Sequence, residues 1–214
     1  MFESFGGLSS VTIGDSLNSI GDCAFRYCDG LTSIQYLGDV KGWVSIDFAD
    51  PYANPLWHAH HISMNGSELT SLAIPNGVTE IKNHAFAGCT EIAELTSPSS
   101  VTIIGNNAFD GCTGLHAVYM KGETRPSGSG DIPTSALIYV PCNSINSYLA
   151  GWGSSYVYEE YVAYDLNVAS EDEQKGAVYI VQQPSCENIE GKIFAEPANG
   201  YHFTQWKDGN TENP

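Results

Sequence analysis

The sequence predicts a mainly β protein with short helical turns: a solenoid of stacked strand-and-turn units, followed by a small β-rich module. Three observations carry this reading: a self-similarity of 23 residues, a surface poor in helix formers, and a change of pattern after Gly153. Charged residues make up only 15% of the 214 residues, while Gly, Ser, Thr and Asn are frequent. The side chains that normally cover exposed helices are therefore scarce.

The repeat is read directly from the chain. "LSSVTIGDSLNSIGDCAFRYCDG" from Leu8, "LTSLAIPNGVTEIKNHAFAGCTE" from Leu69 and "IAELTSPSSVTIIGNNAFDGCTG" from Ile92 are each 23 residues long. Leu8, Leu31, Leu69, Ile92 and Leu115 open the units, and Val11, Ile34, Leu72, Leu95 and Val118 follow three residues later. Ile20, Ile81 and Ile104 come next, then Phe25, Phe86 and Phe109, then Cys28, Cys89 and Cys112. Alternation in the opening segment predicts a strand with one apolar face. The second apolar group predicts another short strand, and the Ala-Phe segment a helical turn whose Phe fills the coil. One unit cannot bury its apolar face alone, so successive units must stack about 4.8 Å apart through main-chain bonds. Ser97 departs from the pattern at an inward position and predicts an underpacked rung.

The opening L-x-x-L-x-L pattern and the Phe-x-x-Cys spacing resemble the BspA-like leucine-rich repeats of bacterial surface proteins. The resemblance covers about residues 1–160, with an elaborated repeat at 31–68 and a terminal cap at about 137–158, around Tyr148 and Trp152. Phe2, Phe5 and Gly7 fall in the register of Phe25, Cys28 and Gly30, so the chain is expected to open partway through a repeat. Any export signal would then precede Met1.

After Gly153 the period is lost. "YDLNVAS", "GAVYIVQQ", "KIFAEPA" and "GYHFTQW" predict four strands. The Gly-Tyr-x-Phe-x-x-Trp segment resembles the divergent internalin-type B-repeat, which implies a β-grasp-like module over 161–214 with Tyr201, Phe203 and Trp206 at its apolar centre. The strand that normally ends this module is missing, so the C-terminal end is also expected to be truncated.

Eight Lys plus Arg against 25 Asp plus Glu give a net charge of −17, with the acidic residues dispersed. A nucleic acid or an anionic membrane would meet like charge, and neither is expected as a partner. No stretch reaches the roughly 20 apolar residues of a membrane-spanning helix. Nucleophile elbows, phosphate loops and zincin motifs are absent, so no catalytic residue and no cofactor is expected. "GSGDIP" at 128–133 reads as a flexible surface connector. Glu159-Glu160 and "EDE" at 171–173 read as exposed turns.

Cys28, Cys89 and Cys112 share one repeat position, so their side chains point the same way from successive rungs. Buried thiols are expected there. No bridge is specified for Cys23, Cys142 or Cys186.

Three histidines, His58, His60 and His61, crowd into "NPLWHAHH". On a strand, His58 and His60 would face one way and His61 the other, leaving two donors where zinc needs three or four. The stretch is expected to be a packed insertion rung, with His58 and His60 the only alternative metal pair.

Repeat proteins commonly bind through the surface their first strands form. Here the outward positions Thr12, Gln35, Ser71, Glu94, Thr96, His116 and Tyr119 are hydroxyl-rich and weakly charged. With the resemblance, they imply an adhesin module at the bacterial cell surface that holds an extracellular protein or polysaccharide. The alternative is a spacer or accessory repeat of a larger secreted or anchored protein.

Overall fold

The computed structural model describes residues 6–162, 169–170, 172–187 and 190–206. The first unit supplies β1 (Ser10–Ile13) and the two-residue β2 (Ser19–Ile20). The elaborated unit runs through β3 (Ser33–Tyr36), α1 (Val40–Trp43), β4 (Asp47–Phe48), a 3-10 turn at Pro51–Ala53, and α2 (Leu56–Ala59). A hairpin of β5 (Ser63–Met64) and β6 (Ser67–Glu68) ends it. The period resumes with β7 (Ser71–Ala73), β8 (Glu80–Ile81), β9 (Glu94–Ser97), β10 (Ile103–Ile104) and β11 (Ala117–Met120). β12 (Leu137–Pro141), α3 (Ile145–Trp152) and β13 (Val157–Tyr161) follow, then β14 (Gly176–Gln182) and β15 (Lys192–Pro197). The chain divides into two compact units, Met1–Glu159 and Glu160–Pro214.

In the first unit, equivalent strands of successive repeats pair in parallel. Val11 lies opposite Ile34, Leu72 opposite Leu95, and Leu95 opposite Val118. The amide of each rung reaches the carbonyl one period earlier: Thr32 to Ser9 at 3.0 Å, Ala93 to Thr70 at 2.8 Å, His116 to Ala93 at 3.0 Å. Because the pleat has period two, this register puts one column of apolar side chains inward and its neighbours outward. Ile34, Leu72, Leu95 and Val118 are at most 1% exposed. The short second strands pair likewise, β2 with β4 and β8 with β10, and an isolated bridge joins Ile103 to Ser127. Phe25, Phe86 and Phe109 are buried, and the last two stack at 5.7 Å with planes 9° apart. Ser97 is fully buried and its hydroxyl has no hydrogen-bond partner. The interrupted apolar column therefore buries an unsatisfied polar group, a cost of about 1–3 kcal/mol.

The elaborated unit is a rung of the same stack. Phe25 N donates to Tyr52 O at 2.9 Å, Lys82 N to Val44 O at 3.1 Å, and Thr90 N to His60 O at 2.8 Å. Its extra length holds an aromatic core: Tyr36 meets Trp43 edge-on at 5.2 Å, and Trp43 meets Phe48 at 5.5 Å. The buried Trp43 indole donates to Ala85 O at 2.7 Å, and the Asn54 amide donates to the His84 and Ala85 carbonyls. Asn65 and Gly66, with φ of 51° and 80°, make the tight turn between β5 and β6, as an Asn-Gly pair does where both central residues need positive φ.

"GSGDIP" is not a flexible connector. Gly130 O accepts from Phe109 N at 2.7 Å, and Ser127 O, just before the segment, from Ile104 N at 2.9 Å, so 127–133 occupies the second-strand and Phe-turn positions of one more rung. A Cβ at Gly128 would collide with the Ile104 carbonyl, and one at Gly130 with the Ile104 side chain. These glycines serve close approach. α3 and its aromatics cover this end: Tyr148 donates to Gly122 O at 2.7 Å, Trp152 to Gly128 O at 2.9 Å, and Tyr156 to Ile132 O at 3.0 Å.

In the second unit, β14 and β15 pair antiparallel, with an irregularity between Ile180 and Gln182. The predicted strand over 201–206 does not form: Tyr201 N turns back onto Ala198 O at 3.0 Å after Gly200 at φ 89°, which takes the chain off the line of β15. Tyr201 is 53% exposed, outside the predicted apolar centre, while Phe203 and Trp206 meet at 4.8 Å. Phe2, Phe5, Glu171 and most of the strand predicted from "YDLNVAS" lie outside the described residues.

Gly88 has φ +84°, and a Cβ there would stand 2.8 Å from Trp57 Cα, whereas Gly77 at φ +85° faces open space. Gly88→Ala should therefore destabilise by about 2–4 kcal/mol, strain plus overpacking. Gly77→Ala should cost only the strain, about 1–2 kcal/mol. Urea unfolding followed by circular dichroism measures both, and equal losses would refute the close docking of α2 on this rung.

Candidate binding face

The outward first-strand residues occupy two ladders. Thr12 pairs with Gln35, and Gln35 with Ser63, in the sheet ordered β1-β3-β5-β6. Ser71, Glu94, Thr96 and Tyr119 lie in the sheet ordered β13-β12-β11-β9-β7. Ser71 stands opposite Glu94, and Thr96 opposite Tyr119. Thr12, Gln35, Ser71, Glu94 and His116 are exposed, and Thr96 and Tyr119 half-buried. His116 Nδ1 is 3.1 Å from Gly114 O, which holds the ring against its own turn. Ala117, in register between Glu94 and Leu137 in the same column, is only 7% exposed.

Tyr139 is the residue that sequence reasoning missed. It lies opposite Tyr119 on the next strand, and the two rings stack at 4.6 Å with planes 9° apart. The signal was present as alternation in "LIYVP", but this rung follows its predecessor by 20 residues instead of 23. Rings stacked along the ladder turn their faces toward neighbouring strands and their edges to solvent. The inner faces of the two rings are covered by each other and are closed to a sugar.

Some hydroxyls nearby are already engaged: Thr32 Oγ1 donates to Ser9 O at 3.3 Å, and Ser63 Oγ to Ile34 O at 3.4 Å. Such bonds brace the ladder itself.

The three clustered histidines go to three different partners. His58 lies on α2, which is helical where the sequence reading placed a strand, because Asn54 caps its start through the Leu56 amide at 3.0 Å. His58 Nδ1 is 3.5 Å from Asp29, His60 Nδ1 is 3.0 Å from Gly88 O, and His61 Nε2 is 2.7 Å from Thr32 O. His60, at φ 66°, ends the helix. Among the described residues no three His, Cys, Asp or Glu side chains form a metal-sized group.

Burial lowers the pKa of His58 below 6.5, against a pull upward from Asp29, with His60 adding to the depression. Burial likewise lowers His84, against Asp50 and Asp110. His58 Nε2 and His84 Nδ1 are buried with no hydrogen-bond partner. Cys28, Cys89 and Cys112 are buried thiols; burial pushes Cys89 up to about 11 and Cys112 further. At Cys23, the hydrogen bond to Asp50 at 3.3 Å leads the upward shift. A raised thiol pKa removes the thiolate, and with it nucleophilic reactivity near neutral pH.

A family model described as "BspA type Leucine rich repeat region" matches residues 1–48 and 61–140 in six copies. It passes over 49–60, the 3-10 turn and α2 that lengthen the second rung. No curated protein shows a significant match. No helix among the described residues is long and apolar enough to cross a membrane.

Neutral His58 and His84 favour the folded chain, so this contribution is present above pH 6.5 and lost as pH falls from there toward their folded values. His84 has φ 60°, as Asn107 has φ 55° one period later, so asparagine fits its backbone. The stability of His84→Asn should fall less steeply between pH 7 and 5 than that of the parent in urea titrations. Identical slopes would contradict the assignment.

Proposed function

Because the chain belongs to the BspA-type leucine-rich-repeat family, we propose that residues 1–160 form the solenoid of a non-catalytic bacterial surface protein whose first-strand face holds an extracellular protein or polysaccharide. The single observation that carries this reading is the run of exposed side chains in parallel register: Thr12 on Gln35, and Ser71 on Glu94. Such columns offer a ligand laid across successive rungs a polar contact at each rung. On this reading residues 161–214 are a B-repeat-like, β-grasp-like module beside the repeats.

The hydroxyls that brace the ladder at Thr32 and Ser63 favour a second reading, a spacer whose polar face needs no ligand.

A screen of the full chain against immobilised matrix proteins and polysaccharides separates the two. Gln35→Lys with Thr96→Lys should weaken any saturable interaction at least tenfold, with a stability change of no more than about 0.5 kcal/mol at the exposed Gln35. Saturable binding that survives the double substitution would move the ligand off this face. No saturable binding at all would favour the spacer.

A further inference from the structure

The strand face changes character along the second ladder. One outward column runs Ala73, Thr96, Tyr119, Tyr139 in direct register, from small side chains to a stacked aromatic pair. The adjacent column runs Ser71, Glu94, Ala117, Leu137. Ala117 is buried between Glu94 and Leu137, so the exposed part of this column beside the tyrosine rings is Glu94 on one side and the half-buried Leu137 on the other.

Two carboxylates lie beside the ring pair. Glu94 is exposed, two residues before Thr96 on the same face. Glu159 acts on Tyr139: burial, then the Glu159 charge, then Tyr119 hold its phenol above the ordinary tyrosine pKa. Strands β7, β9, β11 and β12 carry no Lys or Arg; Lys121 follows β11, and His116 before it is turned onto Gly114 O. The polar groups of the two columns, with Glu159 beside them, are thus two phenols, the Thr96 and Ser71 hydroxyls and two carboxylates, on a chain of net charge −17. An anionic polymer would be repelled here.

Resting on the strand-face reading above, we infer that the Tyr119–Tyr139 pair, with Glu94 and Glu159, anchors a lysine- or arginine-bearing extended peptide. The aliphatic stem of the basic side chain lies along the half-buried Leu137 and the tyrosine ring edges, as such stems cover apolar surface while the head group stays solvated. The head group donates to the phenol oxygens and a carboxylate, bonds strengthened by its charge. Both carboxylates also steer the peptide in, an attraction that weakens with salt.

Calorimetry of the full chain with an eight-residue peptide of alternating lysine and alanine tests this, with the glutamate–alanine counterpart and spermine as comparisons. The lysine peptide should bind, and the glutamate peptide should not. Glu94→Gln with Glu159→Gln should weaken binding at least tenfold, whereas Glu123→Gln with Glu187→Gln, an equal charge change elsewhere, should alter it less than twofold. Tyr119→Ser with Tyr139→Ser should abolish it; should that variant fail to fold, Tyr139→Phe keeps the ring and should still weaken binding severalfold. Equal losses from both glutamine pairs would reduce the effect to general attraction and overturn the site. Spermine binding as tightly as the peptide would overturn the peptide as occupant, and absence of lysine-peptide binding would overturn the inference outright. If another ligand is still lost from Gln35→Lys with Thr96→Lys, the strand-face reading survives that failure.

Discussion

The structure of the repeat unit depends on one constraint: each rung's main-chain amides and carbonyls must find partners on the rungs beside it, the first-strand amides on the rung before and the Phe-turn amides on the rung after. Thr32 on Ser9, Thr102 on Thr79 and His116 on Ala93 satisfy it at a separation of 23 residues. Once those bonds are made, equivalent side chains are forced into columns. Ile81 and Ile104, Phe86 and Phe109, and Cys89 and Cys112 are buried for that reason. The same constraint makes the outward columns, so core and candidate binding face have one cause.

Departures from the period are tolerated where the bonds are kept. The second rung carries fifteen extra residues, 38 against 23, and compensates with its own aromatic core and with the Trp43 and Asn54 bonds to the next rung. The rung at 122–136 loses its Phe and accommodates glycines that let the backbone approach Ile104. At the end of the run, indole and phenol donors of the cap satisfy the carbonyls of Gly122, Gly128 and Ile132, which have no following rung to accept from. This is the capping that stacked repeats require.

The columns were legible in the sequence because a fixed separation makes packing visible as periodicity: Leu72, Leu95 and Val118 could be placed inward from spacing alone. What lay between the periodic positions was not legible. The backbone of His58 could not be read, since helix or strand there is decided by the Asn54 cap and by docking on Gly88. Gly128 and Gly130 looked like flexibility because close approach is a property of the neighbouring rung. Tyr139 escaped because the cap shortens the period, and with it went the aromatic half of the candidate site. Tyr201 was placed inside by its motif, but it follows a turn that leads it into solvent.

The central claim is that the elaborated unit is a rung bonded on both sides and not an appendage. Native-state hydrogen exchange tests it amide by amide. Phe25, Lys82 and Thr90 donate to this unit, while Phe86 donates to Ala108 between two regular rungs. The account predicts that all four amides are protected to within about tenfold of one another and open together. Exchange at Phe25, Lys82 and Thr90 that is orders of magnitude faster than at Phe86 would contradict it.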